Sequence, residues 1–145
     1  MEFHRGRLID HIRLQSRDIE ASREFYGAVL AVLGVKIERE GDGWFLADEL
    51  MVVATTTNKR AGRMHIALQA RDNVTVDRFY EAALDAGAKK ESPPARGNVH
   101  PYYYSATVRD PDGNAIEAVC HGPITRSAAS VVVKPSAMKL LRSWF

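Results

Sequence analysis

Two histidines stand at the head of two nearly identical segments, HIRLQSRD from His11 and HIALQARD from His65. The second copy begins 54 residues after the first, and ten of the twenty residues counted from each histidine are identical. The alternating pattern of both segments predicts strands with one buried face, in which residues two apart share a side. A pseudo-twofold relation between the copies would bring the two imidazoles to equivalent places in one concave sheet.

A carboxylate completes a possible metal-ligand set. Glu117 lies on the last predicted strand, AIEAVC, which follows the tight turn DPDGN. Two neutral imidazoles and one carboxylate form a facial set for Fe²⁺, Mn²⁺, Ni²⁺, Co²⁺ or Zn²⁺ that leaves coordination positions open. Taken alone, a strand histidine is more often a hydrogen-bonded core residue, and a strand glutamate usually faces solvent. The shared repeat position of His11 and His65 favours the metal site, and binding should weaken below about pH 6, where imidazoles take up protons.

Three further polar side chains accompany the histidines on the predicted strands. Arg13 shares the face of His11 and suits a carboxylate or phosphonate on a substrate; equally, it could be an internal partner for Glu117 or another acid. Gln15 and Gln69 could orient ligands or substrate, or simply be solvated at the rim of the sheet. All three are candidate substrate-binding residues.

The stretch VHPYYYSATV supplies a second group of candidates. Tyr103, Ser105 and Thr107 alternate along a predicted strand and are expected to face the cavity and bind substrate, although a one-residue slip in register would turn them away. His100 is a candidate acid or base that caps the pocket, whereas loop histidines of this kind are more often idle. The predicted catalytic residues are therefore His100 and Glu117.

The elements that must position these residues follow the same repeat. After each histidine-led strand come an aspartate that caps a helix, an apolar stripe of helical period, and further strands. Each half thus has the order βαβββ, over residues 7–57 and 63–121. We predict an α+β fold in which two βαβββ modules, in a pseudo-twofold arrangement, form a concave, barrel-like mixed sheet with the helices outside. Together they make a single domain, 1–145, with a C-terminal extension over 122–145.

Composition and charge narrow the class of protein. Hydrophobic residues make up 46% and charged residues 26%, as in ordinary globular proteins. The formal charge of +2 arises largely after Glu117, where the chain has basic but no acidic residues. A basic tail without a basic, aromatic face argues against nucleic acid as a partner. No stretch approaches the about 18 apolar residues of a membrane span, and the single Cys120 cannot form an internal disulfide, so we expect a cytoplasmic protein.

Three phrases of the sequence resemble the vicinal oxygen chelate superfamily, which includes glyoxalase I, extradiol dioxygenases, fosfomycin-resistance transferases and bleomycin-resistance proteins. They are LIDHIRLQSRDIEASREFYGAVLAVLG, MHIALQA and YYYSATVRDPDGNAIEAVCHG, so the similarity covers nearly all of residues 8–122. The resemblance implies that His11, His65 and Glu117 are the ligands of one divalent metal ion. It is strongest toward small, single-chain, glyoxalase-like members.

One departure from glyoxalase I concerns the fourth ligand. The resemblance implies a second carboxylate on the last strand of the first half, but the corresponding stretch LMVVA has no metal-binding group around Val52 and Val53. Glu49 lies too early on this strand. The three-ligand pattern is more similar to that of the dioxygenases and fosfomycin transferases.

The resemblance implies a metal-dependent, glyoxalase/dioxygenase-like enzyme, whether lyase, dioxygenase or transferase, that binds the vicinal oxygens of a small substrate. The alternative is a non-catalytic protein that sequesters a drug or metabolite, although such binders commonly lack the ligand set. A structural partner domain is a third, weaker possibility.

We expect a homodimer, because small members of the superfamily expose a sheet edge that a second copy can pair with. The linker TTTNKRAGR is compatible with modules that pair within one chain or across a swapped dimer. The apolar residues of the extension, which ends in Trp144 and Phe145, cover a dimer seam or an open pocket, or form a partly ordered tail.

Overall fold

Two four-stranded sheets and two helices make up most of the described chain. The computed structural model describes residues 3–5, 8–57, 64–123 and 131–133. In chain order the elements are β1 Phe3–Arg5, β2 Ile12–Ser16, α1 Ile19–Val32, β3 Arg39–Gly41, β4 Trp44–Ala47, β5 Leu50–Ala54, β6 His65–Gln69, α2 Asn73–Asp85, β7 Lys89–Arg96, β8 Tyr104–Arg109, β9 Ala115–Cys120 and β10 Val131–Val133. The predicted extension therefore lies outside the described residues except for 122–123 and 131–133.

The two sheets repeat one topology. Their strand orders are β2-β5-β4-β3 and β6-β9-β8-β7, and β1 pairs with β10 in a separate antiparallel ladder. In each sheet the histidine-led strand runs parallel to the last strand of its module, and the other neighbours are antiparallel. The predicted α+β fold of two βαβββ modules is confirmed. Within the described residues no ladder joins the two sheets, so they do not close into one barrel.

Each helix begins at an aspartate that satisfies a free backbone donor of the first turn. The carboxylate of Asp18 accepts from the amide of Ala21, and that of Asp72 accepts from the amide of Thr75. Both helices pack on their own sheets and against each other. One core cluster consequently draws large side chains from both modules, among them Phe25, Tyr26, Phe45, Phe79 and Ile116.

A buried carboxylate ties the first module to the second. The Tyr26 hydroxyl of α1 donates to Oδ2 of Asp110, in the turn between β8 and β9, over 2.5 Å. Asp110 also accepts from the amides of Asp112 and Asn114 and from the Asn114 side chain. Burial, and then the adjacent Asp110 charge, raise the pKa of Tyr26 well above its usual range. Because the phenol stays protonated, it remains available as a donor to this carboxylate.

Edge position explains the irregular strand β7. The sequence KKESPPAR contains two prolines, which cannot donate to a ladder. Strand β7 pairs with β8 alone and its register shifts twice, between Lys90 and Ser92 and between Ser92 and Ala95. Such shifts let an edge strand pass the prolines without leaving the sheet. Among the described residues, no helix combines the length and apolar character needed to cross a membrane.

Candidate functional site

The parallel pairing of β6 and β9 brings two predicted ligands together. Glu117 pairs with Ala67, two residues after His65, so the histidine and the glutamate share one face of the second sheet. The His65 Nε2 lies 2.8 Å from Glu117 Oε2. Since a carboxylate only accepts, Nε2 of His65 is the donor in this contact. Glu117 is 8% exposed, whereas the His65 side chain is open to solvent.

Tyr103 fixes the other oxygen of the same carboxylate. Its hydroxyl donates to Glu117 Oε1 over 2.7 Å, and this hydrogen bond raises the pKa of Tyr103. Ser105 and Thr107 lie on the same face, because Thr107 pairs with Glu117 and Ser105 with Val119. Oε1 is therefore occupied, and Oε2 is directed toward His65.

His11 lies on the first sheet, apart from this pair. It precedes β2 on the side opposite the core, and its Nδ1 lies 2.6 Å from Oδ1 of the neighbouring Asp10. No three His, Cys, Asp or Glu side chains come together in a metal-binding group in the part of the chain that the structure describes. One chain thus brings together two of the three predicted ligands and leaves the third on a separate sheet.

Arg13 and the two glutamines are exposed on the open faces of their sheets. Glu117 is engaged by His65 and Tyr103, and within the described ranges no carboxylate lies within ion-pair distance of Arg13. Gln15 lies on the same face as Arg13, and Gln69 on the same face as His65. The internal ion pair considered for Arg13 is therefore not formed by the described residues.

Strand register identifies the first-module counterpart of Glu117 as Met51. Arg13, two residues after His11, pairs with Met51 just as Ala67 pairs with Glu117. The sequence had located this counterpart at Val52 and Val53, one or two residues too late. Alignment of the modules could not reveal this, because the connections between helix and last strand differ in length. The position that the register identifies carries Met51, which has no carboxylate, as was expected for the fourth-ligand position.

A second histidine, His121, pairs with His100 beside the tyrosine. His100 Nε2 lies 2.8 Å from His121 Nδ1, and both rings meet the Tyr103 ring edge-on. The amide of Tyr102 donates to His100 Nδ1, which favours the tautomer with the proton on Nε2. His121 was not among the predicted site residues, although it follows β9 directly and lies four residues after Glu117 in the sequence.

A family model matches most of the chain. The family described as "Glyoxalase/Bleomycin resistance protein/Dioxygenase superfamily" matches residues 8–118. Comparison with curated proteins finds no match. A glyoxalase/bleomycin resistance protein from Albidiferax ferrireducens T118 is 26% identical, with 77% of this chain and 98% of that chain covered and a TM-score of 0.62.

Two further solved structures share the fold. A glyoxalase-related enzyme from Fulvimarina pelagi is 21% identical, with 90% of this chain and 100% of that chain covered and a TM-score of 0.62. A lactoylglutathione lyase from Agrobacterium tumefaciens is also 21% identical, with 79% and 93% covered and a TM-score of 0.55.

Proposed function

Because the chain belongs to the glyoxalase/bleomycin resistance protein/dioxygenase superfamily, we propose that it is a metal-dependent enzyme acting on adjacent oxygens of a small substrate. The ligands in this proposal are His11, His65 and Glu117. The observation that carries it is the contact between His65 Nε2 and Glu117 Oε2 on an open sheet face. The reaction is that of a lyase, a dioxygenase or a transferase.

The donor atoms suit a divalent transition metal. Two ligands about 2.0–2.2 Å from one ion, at right angles, are separated by about 3 Å. The 2.8 Å between His65 Nε2 and Glu117 Oε2 is close to that separation, so loss of the Nε2 proton would let both atoms face one ion with little movement. The hydrogen bond from Tyr103 holds Oε1 and leaves Oε2 for the metal.

We further propose that His11 reaches this pair from a second copy of the chain. His11 and His65 occupy equivalent positions on the open faces of two sheets that no ladder joins in the described residues. A twofold dimer that apposes the first sheet of one copy to the second sheet of the other would form two identical sites. This arrangement supplies the third ligand without any change in the fold of either module.

The remaining predicted residues have complementary roles in the proposal. The metal, when bound, polarises substrate oxygens as a Lewis acid. Arg13 binds a carboxylate or phosphonate of the substrate, and its lack of an acidic partner in the described residues supports that role. The side chains assigned to hydrogen bonding with the substrate are Gln15, Gln69, Ser105 and Thr107. His100, whose Nε2 lies 2.8 Å from His121 Nδ1, is the candidate acid or base.

A non-catalytic binding protein for a drug or metabolite is the second candidate function. It is favoured by the absence of a three-ligand group within one chain, as far as the structure describes it. In that case His65 and Glu117 would be a structural hydrogen-bonded pair at the edge of a binding cleft. Metal content separates the two candidates.

We expect protein purified without chelator to hold about one divalent ion per chain, as measured by elemental analysis. Chelation should lower the melting temperature, because an ion bound only by the folded state stabilises it. His65→Ala should lose the ion and the response to chelator, whereas His121→Ala, which leaves Glu117 and its partners in place, should keep both. Wild-type protein that takes up no Mn²⁺, Fe²⁺, Co²⁺, Ni²⁺ or Zn²⁺ under any loading condition would establish the binding protein instead.

Tyr103→Phe should weaken metal binding about 10–100-fold, because partners that orient a ligand typically contribute that much. The substitution removes one hydroxyl and leaves the ring packed against His100 and His121. Titration with Co²⁺, followed by its visible absorption, measures the affinity. Tyr104→Phe is the matched control, since the Tyr104 hydroxyl donates to Asp77 on α2 rather than to Glu117. Equal affinities of the two variants would exclude this role for Tyr103.

A further inference from the structure

A cavity of about 260 Å³ lies between the two modules, at the opposite end of β6 from His65. The end of α1, residues 31–34, lines one side of it, and the junction of β6 with α2, residues 69–71 and Thr75, lines the other. Gln69 follows His65 by four residues, so the cavity begins about 13 Å along the strand from that histidine. The proposed metal ligands therefore do not account for this cavity.

The first module shows what the equivalent junction binds. Arg17, in the segment QSRD, corresponds to Arg71, in the segment QARD. Oδ1 of Asp112 accepts from the backbone amide of Arg17 over 3.0 Å and from its Nε over 3.3 Å. Oδ2 of the same carboxylate accepts from the Ser22 hydroxyl over 3.4 Å. The junction of β2 with α1 is thus a carboxylate-binding site, which the hairpin turn of the second module fills.

The junction in the second module keeps the same donors beside the cavity. Among the described residues, the backbone amide of Arg71 has no acceptor, and its exposed guanidinium is paired with Asp72 alone, at 3.5 Å from Nε to Oδ2. The connection between β4 and β5 has two residues, 48–49, where that between β8 and β9 has five, 110–114. Neither residue of the shorter connection lines the cavity. The donors of a carboxylate site are therefore present next to space for a ligand.

The acidic neighbour Asp72 does not exclude an anion at this junction. Its Oδ1 accepts from the amide and the hydroxyl of Thr75, so it is engaged as the cap of α2. Its counterpart Asp18 caps α1 in the same way, and the carboxylate of Asp112 is bound beside it. The same arrangement in the second module is thus compatible with a bound carboxylate.

The walls and the size of the cavity define the rest of the ligand. Val32, Leu33 and Ala70 supply apolar surface, and the Thr75 hydroxyl already donates to Asp72. A volume of about 260 Å³ lies just below the range of about 300–1,000 Å³ that is typical of sites for drug-sized ligands. A short apolar chain fits these walls better than a large or strongly polar group.

We propose that this cavity binds a small aliphatic monocarboxylate, with its charged group on the amide and guanidinium of Arg71 and its chain against Val32, Leu33 and Ala70. The inference goes beyond the proposed function, because it requires neither a metal ion nor a second copy of the chain. Charge-assisted hydrogen bonds favour a carboxylate over an uncharged amide, and burial of methylene groups favours a longer chain over acetate. Because the ligand would contact both modules, its binding would stabilise their packing on each other.

Three small molecules separate the contributions of the charge and the chain by calorimetry. Pentanoate has both; pentanamide lacks the charge; acetate lacks the longer chain. We expect pentanoate to bind at least about tenfold more tightly than either of the others. Equal binding of pentanamide or acetate, or no binding of pentanoate up to about 10 mM, overturns the proposal.

Variants on the two sides of the cavity locate the binding. Arg71→Gln should weaken pentanoate about tenfold and leave pentanamide nearly unchanged, because the guanidinium is lost and the backbone amide stays. Ala31→Glu adds a negative charge at an exposed position on the opposite wall and should weaken pentanoate several-fold more than the isosteric Ala31→Gln. Both positions are exposed, so the variants should fold, and thermal melts check this. Unchanged pentanoate binding in Arg71→Gln and Ala31→Glu overturns the proposal.

Two control variants distinguish this cavity from the proposed enzyme site. Arg13→Gln removes the arginine assigned to the substrate, and His65→Ala removes a proposed metal ligand; neither should change the affinity for pentanoate by more than about twofold, because both act at a distance from the cavity. Weaker binding in either control, with Arg71→Gln unaffected, would place the carboxylate at the proposed enzyme site and overturn the inference. Protein that takes up no metal but binds pentanoate through Arg71 would refute the enzyme and support the cavity as a carboxylate site.

Discussion

Mixed dimers of His11→Ala and Glu117→Ala chains are expected to recover metal binding that neither variant has alone. In the proposed dimer each site takes His11 from one copy and His65 with Glu117 from the other. A mixed dimer therefore contains one site with all three wild-type ligands and one site that lacks two. Random exchange of subunits makes about half of all dimers mixed, so an equimolar mixture should hold about one quarter of the wild-type metal.

The matched control combines two defects of the same module. A mixture of His65→Ala and Glu117→Ala chains leaves every site in the mixed dimer without one ligand, so no recovery is expected. Co-expression, followed by elemental analysis after removal of free metal, gives the measurement. If His11→Ala alone keeps the full wild-type content, His11 is not a ligand. If the first mixture stays empty while wild-type chains bind metal and exchange subunits, the ligands do not meet across copies.

The repeated sequence predicts which residues of the two modules are equivalent. It does not predict whether the modules meet within one chain or between two chains. HIRLQ and HIALQ show that His11 and His65 have the same place in their modules, and this follows from local pattern alone. Whether the two open faces meet depends on how the helices pack, which involves residues far apart in the sequence. The contact of His65 with Glu117 could be anticipated, since both belong to one module and Glu117 follows a recognisable hairpin turn.

Strand register was the other feature that the sequence specified incompletely. In a parallel pair no short turn links the two strands, so the offset between β2 and β5 is set by the helix and strands between them. The prediction for the fourth-ligand position was consequently displaced from Met51. Strand β7 is also not recognisable from its own sequence, because KKESPPAR has the polar composition and prolines of a loop and is a strand only through its pairing with β8.

The turn DPDGN proved to have a second role that its sequence could not reveal. Its composition predicts a hairpin turn, and the structure places one between β8 and β9. Asp112, however, also accepts from the backbone amide of Arg17 and from the hydroxyl of Ser22, both in the first module. With the contact between Asp110 and Tyr26, this turn is a polar junction between modules. The role of these residues in the hairpin turn already explains their presence in the sequence. The sequence therefore gives no sign of their contacts with the first module.

Asp110→Ala is accordingly expected to reduce the free energy of unfolding by about 3–5 kcal/mol, because several buried donors lose their acceptor and each unsatisfied donor costs about 1–3 kcal/mol. Asp110 is 5% exposed, and its two oxygens accept from Tyr26, Asp112 and Asn114. Removal of the carboxylate leaves the Tyr26 hydroxyl and three turn donors, two amides and the Asn114 side chain, without this acceptor in a place with little access to water. The adjacent contacts of Asp112 with the first module should weaken as the turn loosens.

Urea unfolding, at one protein concentration and with chelator present, measures this effect without a contribution from metal. Tyr26→Phe should cost only about 1–2 kcal/mol, because the carboxylate then keeps its turn donors. In the double variant the costs should fall short of additivity, since Asp110→Ala already removes the bond that Tyr26→Phe deletes. Asp85→Ala, at the exposed end of α2, is the control for loss of an aspartate and should change stability by no more than about 0.5 kcal/mol. A cost for Asp110→Ala as small as that of Asp85→Ala would mean that apolar packing alone joins the two modules.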